Sequence, residues 1–199
     1  MTDDLLATIR GVIFDLDGTL VDSHLDFAAM REETGCPEGT GLLEYQAGLE
    51  DHADRQAVAE VIHWHEMSGA KSAVWMPGAN ELLRELEQRD IPIGVFTRNS
   101  RESASHTLIR LNIPCTDLIA REDAAAKPDP AGLLMLAQGW QLGVDSLLMV
   151  GDFRYDLEAA RTAGVNACLY DPGGDSPFIE SADIVINHFD QLAEKIGRE

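Results

Sequence analysis

The stretch GVIFDLDGTLVDSH, from Gly11 to His24, sets two carboxylates two residues apart directly after an apolar run. Val12 to Phe14 is short, apolar and β-branched at two positions, and Asp17-Gly18 is a turn signal. The run therefore reads as a strand buried on both faces. Side chains two apart on an extended chain share a face, so Asp15 and Asp17 are expected to point the same way, about 7 Å apart along the backbone. Two carboxylates delivered together call for a partner that engages both.

Outward from this stretch, runs of strand length recur at Ile93 to Phe96, Leu118 to Ala120, Leu147 to Val150 and Val165 to Leu169, with a weaker one at Ile184 to Ile186. Between them, apolar residues fall at helical spacing: Leu82, Leu83 and Leu86; Ala104, Leu108 and Leu111; Leu133, Leu134 and Ala137; Leu157, Ala160 and Ala163. This alternation from Pro77 onward predicts an α/β fold, a Rossmann-like parallel sheet with helices on both faces, because parallel neighbours need crossover connections. From His24 to Met76 there is no strand candidate. Helical spacing runs instead through Leu25 to Glu33, Leu42 to Leu49 and Ala53 to Met67. The expected organisation is a core of 1–22 and 77–199 with a small helical cap, 23–76, inserted after the first strand. Asp22-Ser23 and Met76-Pro77-Gly78 supply linker chemistry at its borders. Asp171 to Pro177 reads as a loop.

The chain has 199 residues, 45% of them apolar, which suits one globular core with a modest insertion. Its 35 acidic against 15 basic residues give a formal charge of −20, which would repel nucleic acid and anionic membrane surfaces. No apolar run approaches the roughly 18 to 20 residues of a membrane span, and MTDDLLATIR lacks the basic start of a signal peptide, so the expectation is a cytoplasmic protein. Cys36, Cys115 and Cys168 are odd in number and irregularly spaced, which argues against a disulfide framework or a zinc site. Acidity on this scale poses a problem for handling an anion that a bound metal would solve.

In open parallel sheets ligands bind beyond the carboxyl ends of the strands. There the sequence places Asp15 and Asp17, then Thr97, Arg98 and Asn99, then Lys127, then Gly151-Asp152 with Asp156 one helical turn on. Each has a plain structural reading as well: Asp-Gly as a turn, Ser100 as a helix cap, Asp129-Pro130 as a helix start, Asp152 and Asp156 as acids favoured at a helix N-terminus. The combination is what carries weight.

In this order the motifs resemble the haloacid dehalogenase superfamily, specifically its phosphoglycolate phosphatase-like members with a small helical cap. Asp15-Leu16-Asp17-Gly18-Thr19-Leu20-Val21-Asp22-Ser23 fits the first motif, Thr97 the second, Lys127-Pro128-Asp129-Pro130 the third, and Gly151-Asp152 with Asp156 the fourth. Arg98-Asn99 departs from the pattern, since many relatives have Asn directly after the Thr. The resemblance implies a Mg²⁺-dependent phosphatase of a small phosphorylated metabolite, 2-phosphoglycolate or a sugar phosphate, working as a monomer or homodimer. Asp15 would be the nucleophile that forms an aspartyl-phosphate, Asp17 the general acid and base, and Lys127 the neutralising cation. Asp15, Asp152 and the main-chain carbonyl of Asp17 would hold Mg²⁺, with Asp156 in support. Thr97, Arg98, Asn99 and the amides at the Ser100 helix start would hold the phosphoryl group, together with Gly18, whose amide would be a donor.

Within the cap, His63 and His65 lie two apart on a helix, about 200° around it, and so do not share one metal ion with Glu66. Trp64 reads as core, and His24, Tyr45 and Arg98 as residues that face the leaving group once the cap closes. Rival readings are a phosphomutase of the β-phosphoglucomutase type, which shares Asp15 and Asp17, and a non-catalytic regulatory protein on the same fold.

Overall fold

The structure is a computed structural model and describes residues 2–193 and 195–197. Six parallel strands form one sheet: β1 (Gly11–Phe14), β4 (Ile93–Phe96), β5 (Asp117–Ile119), β6 (Leu147–Gly151), β7 (Asn166–Tyr170) and β8 (Ile184–Ile186), in the order β5-β4-β1-β6-β7-β8. Strand β1 lies between β4 and β6, where the winding changes direction, so its carboxyl end opens onto the switch-point crevice. The ladder to β6 continues one residue further, the Asp15 amide donating to the Val150 carbonyl at 2.9 Å. That bond fixes Asp15 at the carboxyl end of the central strand.

Alternate residues of each central strand feed two separate cores. Val12, Phe14, Ile93, Val95, Leu148 and Val150 pack on one face with Leu82, Leu83 and Leu86 of α5 (Ala79–Gln88) and with Ala104 of α6 (Arg101–Leu111). Ile13, Phe96, Leu147 and Met149 pack on the other with α7 (Ala131–Trp140) and α8 (Arg154–Ala163). Two covered faces explain why these strands read as unbroken apolar runs. The expected parallel α/β sheet is the one observed. Two short helices left no readable periodicity, α1 (Thr2–Thr8) and α9 (Asp190–Ala193), and they contribute Leu6 and Leu192 to the first core.

Between β1 and α5 the chain leaves the sheet. It forms β2 (Val21–Asp22), α2 (Phe27–Thr34), α3 (Leu42–Gly48), α4 (His52–Ser72) and β3 (Val74–Trp75), the two strands pairing antiparallel. The expectation of no strand between His24 and Met76 is corrected by β3. Two residues are too few to show alternation, and β3 exists because β2 offers it an edge. Met30, Cys36, Leu42, Val58 and Ile62 form a third apolar cluster among the three helices. Trp64, expected in a core, is 63% exposed on α4. The stripe of α4 that packs inward runs through Val58, Ile62, Glu66 and Ala70, and Trp64 lies off it. Among the described residues no helix is long and apolar enough to cross a membrane.

Candidate active site

At the carboxyl end of β1, Lys127 is 1% exposed and donates from Nζ to Asp15 Oδ1 and to Asp156 Oδ1, each at 2.6 Å. Burial works against the lysine's charge, and the two carboxylates more than offset it, so its pKa stands above the ordinary value. Asp156 reaches this position as the third residue of α8, where its Oδ2 accepts the Phe153 amide at 3.1 Å. Asp152 follows β6 and accepts the Thr19 hydroxyl on Oδ1 at 3.0 Å. Gly18, at φ +82°, makes that approach possible, because a Cβ there would lie 2.6 Å from Asp152 Oδ2.

Oxygens of Asp15, Asp152 and Asp156 lie within 4.8 Å of one another. One lysine faces three carboxylates, and burial together with the surplus charge raises the proton affinity of Asp152 and Asp156. Burial, then the Asp15 and Asp156 charges, push Asp152 up to about 7. Burial pushes Asp156 up to about 6 against the pull of Lys127, with Asp15 adding to the rise. A hard divalent cation suits a donor set of carboxylate oxygens and would relieve this repulsion.

Asp17 stands apart from that cluster. Its Oδ2 accepts from the Asn99 side-chain amide, and the Ser23 hydroxyl bonds it as well. Burial raises it, Ser23 lowers it and the Asp15 charge raises it again, to about 6. Asp15 and Asp17 have different partners: a lysine for one, an amide and a hydroxyl for the other.

Asp15, Asp17, Gly18, Thr97, Arg98, Asn99, Lys127, Asp152 and Asp156 all line one cavity of about 760 Å³ that extends beneath α2 and α3. Several expected donors are engaged elsewhere. The Gly18 amide donates to the Val21 carbonyl at 2.8 Å, closing its own turn, so the expectation of a phosphate donor there is corrected. Asn99 is held by Asp17. Arg98 donates from Nη1 to the Lys127 carbonyl and from Nη2 to both Glu44 oxygens, at 2.7 and 2.8 Å, while its guanidinium lies 4.5 Å from the Tyr155 ring centroid. Neither side chain is free to hold a phosphoryl group in this arrangement. Thr97 is buried, and its hydroxyl accepts the Asn99 amide at 3.2 Å while its own proton stays available.

Ser100 caps α6 as its type suggests, accepting the Ser103 amide, but its own amide donates to Glu66 Oε2 at 3.1 Å. That corrects the expectation that this amide serves the phosphoryl group. Glu66 is 5% exposed and also pairs with Arg121. It thus ties α4 to the N-terminus of α6, a connection the sequence reading did not make. A carboxylate on the apolar stripe of α4 was the available signal. His63 and His65 do not share a site: His63 lies 3.7 Å from Glu102, and His65 lies 3.3 Å from Glu33. His24 lines the cavity, whereas Tyr45 packs among the α2–α4 helices.

A parallel sheet wound in both directions, with acids and a buried lysine meeting at its switch point, defines an α/β protein with a catalytic-type crevice. Residues 9–164 match the model of the haloacid dehalogenase-like hydrolases, and the chain belongs to that family. A phosphoglycolate phosphatase of Rhodospirillum rubrum is 32% identical, over 94% of this chain and 91% of its own. The validoxylamine A 7'-phosphate phosphatase of Streptomyces hygroscopicus is 26% identical, over 90% and 94%. In fold, the crystal structure of a predicted phosphoglycolate phosphatase from Haemophilus somnus matches with a TM-score of 0.75 at 20% identity, covering 94% of this chain and 97% of that one.

Proposed function

We propose that this chain is a Mg²⁺-dependent phosphatase of a small phosphorylated metabolite that works through an aspartyl-phosphate on Asp15. The observation that carries the reading is the Lys127 ammonium bridging Asp15 and Asp156 inside a cavity where Asp17 is held separately and kept protonatable near neutrality. Relatives that are phosphatases of phosphoglycolate and of validoxylamine A 7'-phosphate support the reaction class.

Lys127 occupies Asp15 Oδ1, which leaves Oδ2 to attack phosphorus. The Asp15 oxygen–phosphorus bond forms as the ester oxygen–phosphorus bond breaks, and Asp17 gives its proton to the departing oxygen. Asp17, now ionised and steadied by the Asn99 amide, takes a proton from water as the water oxygen attacks phosphorus. The Asp15 oxygen–phosphorus bond breaks and phosphate leaves. Lys127 neutralises Asp15 and one phosphoryl oxygen throughout, and the Thr97 hydroxyl donates to another. Asp15, Asp152 and the Asp17 carbonyl would hold Mg²⁺, with Asp156 orienting Lys127. The ion's contribution when bound is to offset charge on the phosphoryl oxygens. The helices of 23–76 act as a cap that shields the cavity from water.

The test is a panel of phosphorylated metabolites assayed with Mg²⁺, with EDTA, and with Asp15→Asn. Free phosphate from the wild type alone, and only with the metal, supports the reading. A phosphoryl group moved within the substrate and not released would indicate a mutase. Inert wild type and variant that bind a partner protein equally would indicate a regulatory role.

A further inference from the structure

The cations that line the cavity are unequally available to a second charged group on a substrate. Lys127 is committed to Asp15 and Asp156. Arg31 turns Nη1 to the carbonyls of Pro37 and Thr40, at 3.0 and 2.6 Å. His24 Nδ1 lies 2.9 Å from Asp22. Arg98, which lines the cavity directly after Thr97, already has a carboxylate partner in Glu44 of α3, both of whose oxygens accept from Nη2 and whose neighbours Leu42 and Leu43 line the cavity. Arg154 remains, exposed and lying over the Tyr155 and Phe153 rings, where water screens its charge.

The space itself argues the same way. A cavity of about 760 Å³ is of the size that holds a drug-like ligand, and a two-carbon acid would fill a small part of it. Away from the carboxylate cluster its wall is largely apolar and aromatic: Phe27, Met30, Leu42, Ile62 and Phe178. Phe153 packs edge-on against both Tyr155 and Phe178, which makes one continuous aromatic surface.

We propose that the substrate's leaving group is uncharged and ring-sized, and that Glu44 is a specificity-determining residue, occupying Arg98 so that a carboxylate-bearing leaving group is refused. The inference rests on the phosphatase reading and goes beyond it by naming the class of leaving group. A hydroxylated ring would lie against the aromatic wall and bring no charge to compete with Glu44 for Arg98. A leaving-group carboxylate would have to displace Glu44 and stay near its charge.

The test compares kcat/KM for a cyclic hexose 6-phosphate, 2-phosphoglycolate and p-nitrophenyl phosphate, all with Mg²⁺. The wild type should favour the hexose phosphate over 2-phosphoglycolate by about tenfold or more. Glu44→Gln, which frees Arg98, should raise kcat/KM for 2-phosphoglycolate and leave it little changed for the hexose phosphate, moving the ratio by about tenfold. Gly41→Ala gives a second route that keeps Glu44. The backbone there has φ −69°, open to alanine, but the new Cβ would lie 1.9 Å from Glu44 Oε2 and push the carboxylate aside. It should move the ratio the same way by a smaller factor. A wild type that hydrolyses p-nitrophenyl phosphate but prefers 2-phosphoglycolate overturns this inference and leaves the phosphatase reading standing. Variants that lower both metabolites in proportion reduce Glu44 to a clamp and overturn the specificity claim. No phosphate from any of the three overturns the phosphatase reading and this inference with it.

Discussion

The carboxyl end of the sheet and the helical segment above it solve opposite electrostatic problems. At the sheet, Lys127 faces Asp15, Asp152 and Asp156, and charge is left over. In the helical segment, Glu44 and Glu66 each meet an arginine from the sheet side, Arg98 and Arg121, and charge is closed. An excess of buried like charge is costly to a fold and useful to a site that gathers a cation and a phosphoryl group. A closed pair does structural or selective work. On the proposed reading, the difference separates chemistry below from positioning and selection above.

The comparison would break first at Asp15. Asp15→Asn should lower kcat by about 10⁴-fold or more, measured by phosphate release, while the melting temperature holds or rises, because one carboxylate leaves a crowded site. A kcat loss below tenfold would move the nucleophile elsewhere.

Glu66→Gln should act on stability. Removing one partner of a buried ion pair strands Arg121 and loosens the start of α6, so denaturant unfolding should show a loss of about 2–3 kcal/mol. Activity should fall less than in Asp15→Asn.

The pH response sharpens the contrast. Asp17 and Asp156 stand at about 6 and Asp152 at about 7, all above the ordinary carboxylate value near 3.9. A raised carboxylate favours the folded state fully below its unfolded pKa and loses that contribution as pH rises through its folded one. Metal-free protein should therefore lose roughly 3 °C or more of melting temperature between pH 5 and pH 8. Added Mg²⁺ should restore more at pH 8 than at pH 5, since it competes with protons for the same oxygens. Asp152→Asn should flatten the metal-free profile. A Mg²⁺ effect that shrinks with rising pH would contradict the assignment.

The smallest effect belongs to Trp64. It is an exposed ring on α4, so Trp64→Ser should change stability by no more than about 0.5 kcal/mol.

The same division decided what could be read in advance. Residues at strand ends are placed by local pattern: β1 and β4 begin and end within a residue of their apolar runs, so Asp15 and Thr97 follow at known positions. The pairings of the helical segment are not local. Glu44 meets Arg98 across 54 residues and Glu66 meets Arg121 across 55, and no periodicity encodes which arginine a glutamate will find. Trp64 lies outside the core for a related reason: the buried stripe of α4 runs through Glu66, so apolar character alone does not mark which residues of this helix are covered. The two-residue ribbon of β2 and β3 depends on a partner rather than on any signal of its own.

The most direct test of the central claim is chemical trapping of the intermediate. Protein turning over a phosphomonoester with Mg²⁺ is quenched in acid, reduced with borohydride and digested, and the peptide that contains Gly11 to His24 is examined by mass spectrometry. An acyl phosphate on Asp15 predicts homoserine at position 15, absent without substrate and absent in Asp15→Asn. Active protein that yields no reduced residue, or yields it at Asp17 or Asp152 instead, would contradict the account.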